Sequence, residues 1–236
     1  MEVQLIKIAG LIGDPVRATV LWTLLDGKAY TATELAIYAD TSLQNMSMHL
    51  NKLTKADLLT VERQGRHRYF RYSRNEVAYA IEGLTHLAPK GALKENNSGR
   101  ALSDFQYCRT CYDHMAGKVG VLLTDYLLKT KIIRLNDNKL FSVTEKGEGF
   151  FEDLNIDVQK LKQRRRIFAK PCLDWSERKF HLAGALGAAL LEKMLREDWV
   201  RRRRSSRVLM LTAKGQKEWF NKWPLAAKAY DNSCQS

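Results

Sequence analysis

The sequence predicts a mainly α chain with small β-hairpins, an α+β fold in two domains. Three observations predict it. Thr33 to Ser73 runs as two short helix patterns followed by a hairpin with a glycine at its tip. Residues 101–236 carry one pattern twice, a helix, a hairpin and a second helix. Between them Lys90 to Arg100 reads KGALKENNSGR, polar and rich in Gly, Asn and Ser, as linkers are. Domains are therefore expected at 1–89 and 101–236, joined by a linker at 90–100.

Taken in order, Leu5, Ile6, Ile8, Ala9, Leu11 and Ile12 form an apolar N-terminal arm, expected as a helix. Asp14-Pro15 opens a second helix, with Asp as cap and Pro at the first position, and Gly27 ends it. A short strand is expected at Lys28 to Thr31. Thr33 is expected to cap the next helix, and Ser42 the one from about Leu43 to Ala56. There Met46, Leu50 and Leu53 recur at spacings of four and three, so that stripe faces a core. The opposite face carries Gln44, Ser47, Met48 and Asn51, with Asn45, Lys52 and Lys55 beside it. A polar face poor in acids suits the edges of bases in a major groove.

Leu59 and Val61 alternate with Thr60 and Glu62, and Tyr69, Phe70 and Tyr72 lie in a return strand. Gly65 permits the positive φ of a tight turn, and Arg63, Arg66 and Arg68 surround it. Arginines on a projecting tip suit phosphate or minor-groove contact. Ser73 or Asn75 is expected to cap a last helix, Glu76 to about Leu87, which Pro89 stops. Each piece alone is an ordinary amphipathic helix or a solvated loop. In this order they make a winged helix-turn-helix, a reader of double-stranded DNA.

Five segments resemble the ArsR (arsenical-resistance-repressor) family of bacterial winged-helix regulators over about residues 5–88. They are Gly13-Asp14-Pro15-Val16-Arg17, Glu34-Leu35-Ala36, Ser47-Met48-His49-Leu50, Ala56-Asp57-Leu58-Leu59 and Gly65-Arg66-His67-Arg68-Tyr69-Phe70. Where Met48 stands the family usually has a basic residue. The resemblance implies a homodimer through the first and last helices of the module, the alternative being that both faces pack on the C-terminal domain; a symmetric dimer would bind a palindromic operator. It does not carry metal sensing onto this chain. The stretch 34–40 holds no cysteine, and His86 with Glu82 does not make the acid-and-histidine set of the family's last helix.

The chain has 236 residues, 45% hydrophobic, with a formal net charge of +13. That supports a real core and predicts an anionic partner, nucleic acid first. No apolar run approaches the roughly 20 residues of a transmembrane helix. The start lacks the layout of a secretory signal, so a cytoplasmic protein without membrane attachment is expected. Four cysteines are then not expected in structural disulfides. No nucleophile elbow, phosphate loop or cofactor fingerprint is present, so no enzyme is expected.

The repeat spans about 104–152 and 172–223. His114-Met115-Ala116-Gly117-Lys118-Val119-Gly120 matches His181-Leu182-Ala183-Gly184-Ala185-Leu186-Gly187, and each copy closes with Thr-x-Lys-Gly, at Thr144 and Thr212. Helices are expected from Val121 and Ala188, and the whole resembles two degenerate winged-helix folds packed as a pseudo-dimer. The small residues allow the copies to approach closely. Basic runs at Lys160 to Arg166 and Trp199 to Arg207 read as solvated faces, the second also as a pseudo-wing that touches DNA backbone.

A cluster precedes each His-x-Ala-Gly. Cys108, Cys111, Asp113 and His114 stand in the first, and Cys172, Asp174, Trp175, Arg178 and His181 in the second. On a helix Cys111 and His114 would share a face as i and i+3. Three readings stand. The residues line a pocket for an organic effector, with Phe105, Tyr112 and Trp175 as walls and Arg109, Asp113, Asp174 and Arg178 as anchors. Alternatively Cys111, His114, Cys172 and His181 hold a metal ion such as zinc, or a cysteine reacts with an oxidant, with Cys108 spare. Or the cluster is structural. The expected function is a DNA-binding repressor released by an effector. Its alternatives are a metal- or thiol-based sensor and an effector-independent architectural DNA-binding protein.

Overall fold

The computed structural model describes residues 2–85, 87, 104–204 and 206–222. The expected linker 90–100, the stop at Pro89 and His86 lie outside the described residues. The chain forms two compact units, Met1–Glu95 and Asn96–Ser236.

In the first unit, helices α1 (Glu2–Ile12), α2 (Pro15–Thr23), α3 (Ala32–Tyr38), α4 (Leu43–Lys55) and α5 (Asn75–Thr85) surround a small sheet. Its strands are β1 (Tyr30–Thr31), β2 (Leu59–Gln64) and β3 (His67–Tyr72), in the antiparallel order β1-β3-β2. Leu21, Leu24, Leu25, Leu35, Met46 and Leu53 are fully buried at the centre. Asp14 caps α2 by accepting from Arg17 N at 3.0 Å. The buried Arg17 guanidinium in turn donates to the carbonyls of Gly10 and Leu11, which end α1. Gly27 closes the following turn at φ 78°.

Two expected caps fall elsewhere. Helix α3 begins at Ala32, capped by Thr31 rather than Thr33. Thr31 and Glu34 form a reciprocal capping box, which satisfies two free N–H groups at once. Asn75 lies inside α5, and Ser73 Oγ donates instead to Asp57 O, tying the hairpin exit to the turn after α4.

The second unit shows one order of elements twice. The first run is β4 (Arg109–Cys111), β5 (His114–Ala116), α6 (Gly117–Lys129), β6 (Ile133–Leu135), β7 (Phe141–Val143) and α7 (Glu145–Asp153). After α8 (Val158–Lys162) comes the second: β8 (Lys170–Leu173), β9 (Phe180–Ala183), α9 (Gly184–Arg196), β10 (Val200–Arg202), β11 (Leu209–Leu211) and α10 (Ala213–Lys222). Each run thus begins with a hairpin that the helix–hairpin–helix expectation lacks. Cys111 and His114 are cross-strand partners in β4 and β5, not neighbours on a helix.

Helices α6 and α9 start four residues before the expected Val121 and Ala188. Gly117 and Gly184 hold φ of 79° and 88°, which turns the chain directly from strand into helix. A Cβ at Gly117 would stand 2.5 Å from Gln106 O. The helices pack crosswise, α6 on β9 and α9 on β5, so each copy completes the other. Thr124 on α6 fastens this exchange: its hydroxyl accepts from Leu182 N at 2.8 Å and donates to Gly120 O. Thr144 and Thr212 each accept from the Gly N–H three residues on, so Thr-x-Lys-Gly opens a helix in both runs.

Candidate nucleic-acid interface and Cys/His cluster

Helix α4 buries Met46, Leu50 and Leu53 and turns Gln44, Ser47, Met48, Asn51 and Lys52 to solvent. Ser42 caps its start by accepting from Asn45 N. Asn45 is half-buried and donates its amide to Thr41 Oγ1 at 2.7 Å, so it braces the turn before the helix. Ser47 Oγ donates to Leu43 O within the helix. Met48 is 57% exposed, an apolar tip on a polar face. The β2–β3 hairpin pairs Arg63 with Arg68 across the strands and turns at Gly65, φ 59°. Arg63, Arg66 and Arg68 are exposed. An open groove runs between helix and hairpin, with Ser47, Asn51 and Thr54 on one wall and Arg66 and Arg68 on the other.

In the second unit the two leading hairpins meet. Cys111 pairs with His114 across the first and Cys172 with His181 across the second. The four ligand atoms lie within 4.8 Å of one another. His114 Nε2 stands 3.2 Å from His181 Nε2. Both histidines are buried, and both cysteines are partly reached by solvent. These side chains form a cluster able to take a metal ion.

Each imidazole turns its other edge to a carboxylate. His114 Nδ1 lies 3.4 Å from Asp113 Oδ1, and His181 Nδ1 lies 3.4 Å from Asp174 Oδ2 without hydrogen-bond alignment. Asp174 is fully buried and accepts from both edges of its surroundings: Arg109 Nη2 at 3.0 Å, Gly117 N at 2.7 Å, and the Ser176 and Glu177 amides. Burial alone would raise its pKa. Its approach to His181 and the Arg109 charge hold it well below the usual carboxylate range. Asp113 is held low by its hydrogen bond from Arg166. Burial would lower the pKa of His181, but Asp174 and Cys111 outweigh it and raise the value. The Cys111 thiol is pushed up to about 11, first by sharing a proton with Cys172 and then by burial.

The other expected residues take different places. Cys108 is fully buried outside the four, and burial pushes its thiol up to about 12. The Arg109 guanidinium fills the space between the rings of Phe105 and Trp175, 5.2 and 5.0 Å from their centroids. Two expected walls and two expected anchors of an organic pocket are thus engaged with one another. Tyr112 is 61% exposed at the first hairpin turn, φ 55°. Arg178 holds φ 54° in the second hairpin loop, its N–H donated to Asp174 O. Sequence reasoning missed Arg166 as the partner of Asp113. Only its place in a basic run drew attention to it.

A Helix-turn-helix domain family matches residues 12–62. A relative from Bacillus subtilis (strain 168), described as the uncharacterized HTH-type transcriptional regulator YdfF, is 43% identical over 216 residues, covering 92% of this chain and 95% of that protein. Among solved structures, HlyU from Vibrio cholerae N16961 is 23% identical over 36% of this chain and 92% of its own, with a TM-score of 0.34. The homodimeric winged helix-turn-helix domain of Mb0332 from Mycobacterium bovis, a possible ArsR-family regulator, is 19% identical over 36% of this chain and 77% of its own, also at 0.34. The chain belongs to the HTH-type transcriptional regulators, DNA-binding proteins that are not enzymes.

Proposed function

We propose that this regulator is a cytoplasmic, homodimeric repressor that binds a palindromic operator and leaves it when its second unit takes a ligand. The observation that supports this best is the division of α4. Its apolar row is locked in the core, while Gln44, Ser47, Met48 and Asn51 stand clear beside three exposed wing arginines. Base readout belongs to that helix, with Asn45 and Lys52 at its margins, and the wing fixes register on phosphate. The resemblance to ArsR regulators and the exposed apolar side chains of α1 support the dimer. In the second unit, read as a duplicated, degenerate winged-helix pair, the helices that precede the β6–β7 and β10–β11 hairpins, α6 and α9, are largely buried rather than turned to solvent. It is the ligand-binding half. Release requires the ligand to favour the weak-DNA state, since equal affinity for both states shifts nothing.

The test is a footprint on DNA flanking the chain's own gene, followed by mobility shifts at several salt concentrations. Asn51→Ala should lose discrimination between operator and mutated operator, by about 1–3 kcal/mol per base read. Arg66→Ala/Arg68→Ala should weaken all sequences alike and lower the log–log salt slope by about one unit for each phosphate left without its arginine. Protection indifferent to sequence would instead identify an architectural DNA-binding protein.

A further inference from the structure

We propose that Cys111 Sγ, His114 Nε2, Cys172 Sγ and His181 Nε2 bind one zinc-class divalent ion per chain, in a tetrahedral site shared equally by the two repeated halves. The proposal deepens the functional reading, and rests on it only in treating the second unit as the ligand-binding half.

The argument begins with two nitrogens. His114 and His181 each turn Nδ1 toward a carboxylate at 3.4 Å, hydrogen-bonded for His114 and unaligned for His181, which leaves Nε2 as the edge that faces the cluster. The two Nε2 atoms face each other at 3.2 Å, and with hydrogen on each Nδ1 both offer lone pairs to the space between them. A shared N–H bridges that spacing when no ion is bound, and a metal ion takes its place when both nitrogens present lone pairs. An ion about 2.0–2.1 Å from each nitrogen, at the tetrahedral angle, sets them about 3.3 Å apart. Two sulfurs complete the set, since all four atoms fall within 4.8 Å of one another.

The donor types choose the metal class. Two thiolates with two imidazoles in tetrahedral array suit zinc and its congeners, whereas calcium and magnesium require oxygen. Binding displaces one proton from each thiol, and two thiolates then cancel the charge of a divalent ion. The surroundings are balanced too: Asp174 is matched by Arg109 and Asp113 by Arg166. A neutral core with neutral pairs around it is the arrangement that burial tolerates. Arg109 binds Asp174 through both carboxylate oxygens, which keeps that carboxylate in the outer ring of the site.

The position is fixed by backbone as well. Gly187 of α9 lies under His114, where an added Cβ would come 3.3 Å from His114 Cβ, and Gly120 of α6 lies under His181 at 3.6 Å. The helix of each run thus supports the histidine of the other.

Metal analysis of the full chain, purified without chelator, should give close to one zinc per chain. Cobalt(II) added to stripped protein should give the intense visible bands of a tetrahedral ion and sulfur-to-metal charge transfer in the near ultraviolet. Cys111→Ser/Cys172→Ser should lose both signals, and Cys108→Ser should keep them. If the double variant does not fold, the cobalt spectrum of the wild type decides alone. An octahedral spectrum, no stoichiometric ion, or full retention by the double variant would overturn the proposal. Operator binding is measured separately on the same samples. A bound ion without operator binding removes the repressor reading and leaves the site; operator binding by a chain that takes no ion does the reverse.

Discussion

Single side chains in this protein do several tasks at once, and Asp14 shows how. It caps α2, and it sits 3.5 Å from the Arg17 guanidinium and 3.4 Å from His49 Nδ1. Burial would raise its pKa, but the Arg17 amide and the two basic side chains lower it below the ordinary carboxylate value. A depressed folded value means that its stabilisation is complete above about pH 4 and is lost as pH falls through the depressed value. Asp14→Ala should cost about 1 kcal/mol at neutral pH, with the difference from wild type shrinking in acid, as read by urea unfolding across pH. Gly187 is a second such position. A Cβ there would stand 2.4 Å from Leu182 O, which belongs to its own copy's hairpin and cannot yield without moving β9. Gly187→Ala should therefore destabilise the second unit by about 1–3 kcal/mol, seen as a lowered thermal midpoint.

At the scale of elements, helices and hairpins of ordinary length were legible because their periodicity had room to show. The Met46/Leu50/Leu53 stripe of α4 and the alternation in β2 both lie where the pattern puts them. Helix starts were less legible where two candidates stood side by side. Thr31 and Thr33 both precede the apolar run, and only the Thr31-x-x-Glu34 spacing marks the true cap. The leading hairpins of the second unit were hidden for another reason. Strands of three residues joined by the two-residue turn Tyr112-Asp113 in the first, and of four residues in the second, are too short to display a period of two. Cys111 and His114 therefore read as neighbours on a helical face, whereas they are cross-strand partners. Helix α1 is the opposite case: legible as apolar, yet with no buried residue of its own. Val3, Leu5 and Ile6 are 79, 68 and 65% exposed. If they form the dimer seam, Leu5→Glu/Ile6→Glu should give monomers in sedimentation analysis while leaving the helical circular dichroism of the chain nearly unchanged. A variant that stays dimeric would move the interface elsewhere.

Over the whole molecule, the two units differ in what carries their meaning. The first is a known arrangement of elements, so residue patterns and resemblance together suffice to read it. The second is intelligible only as a pair. Its repeated His-x-Ala-Gly gives the histidine of the Cys/His cluster, the buried alanine at the strand end and the glycine that starts the helix. None of those tasks shows in one copy alone. The sequence signal was the repetition itself, and the crosswise packing that explains it depends on approaches between residues about 70 positions apart, such as His114 with His181 and Gly187 with His114. The cross-strand Cys–His pair in each hairpin has a last consequence. One copy by itself is a two-point chelator, and two free copies would have to find each other at cellular concentration to complete a coordination shell. Joined in one chain, the second half meets the first at an effective concentration on the order of millimolar or higher. For the proposed site, covalent continuity would set the stoichiometry at one ion per polypeptide, independent of how many chains associate.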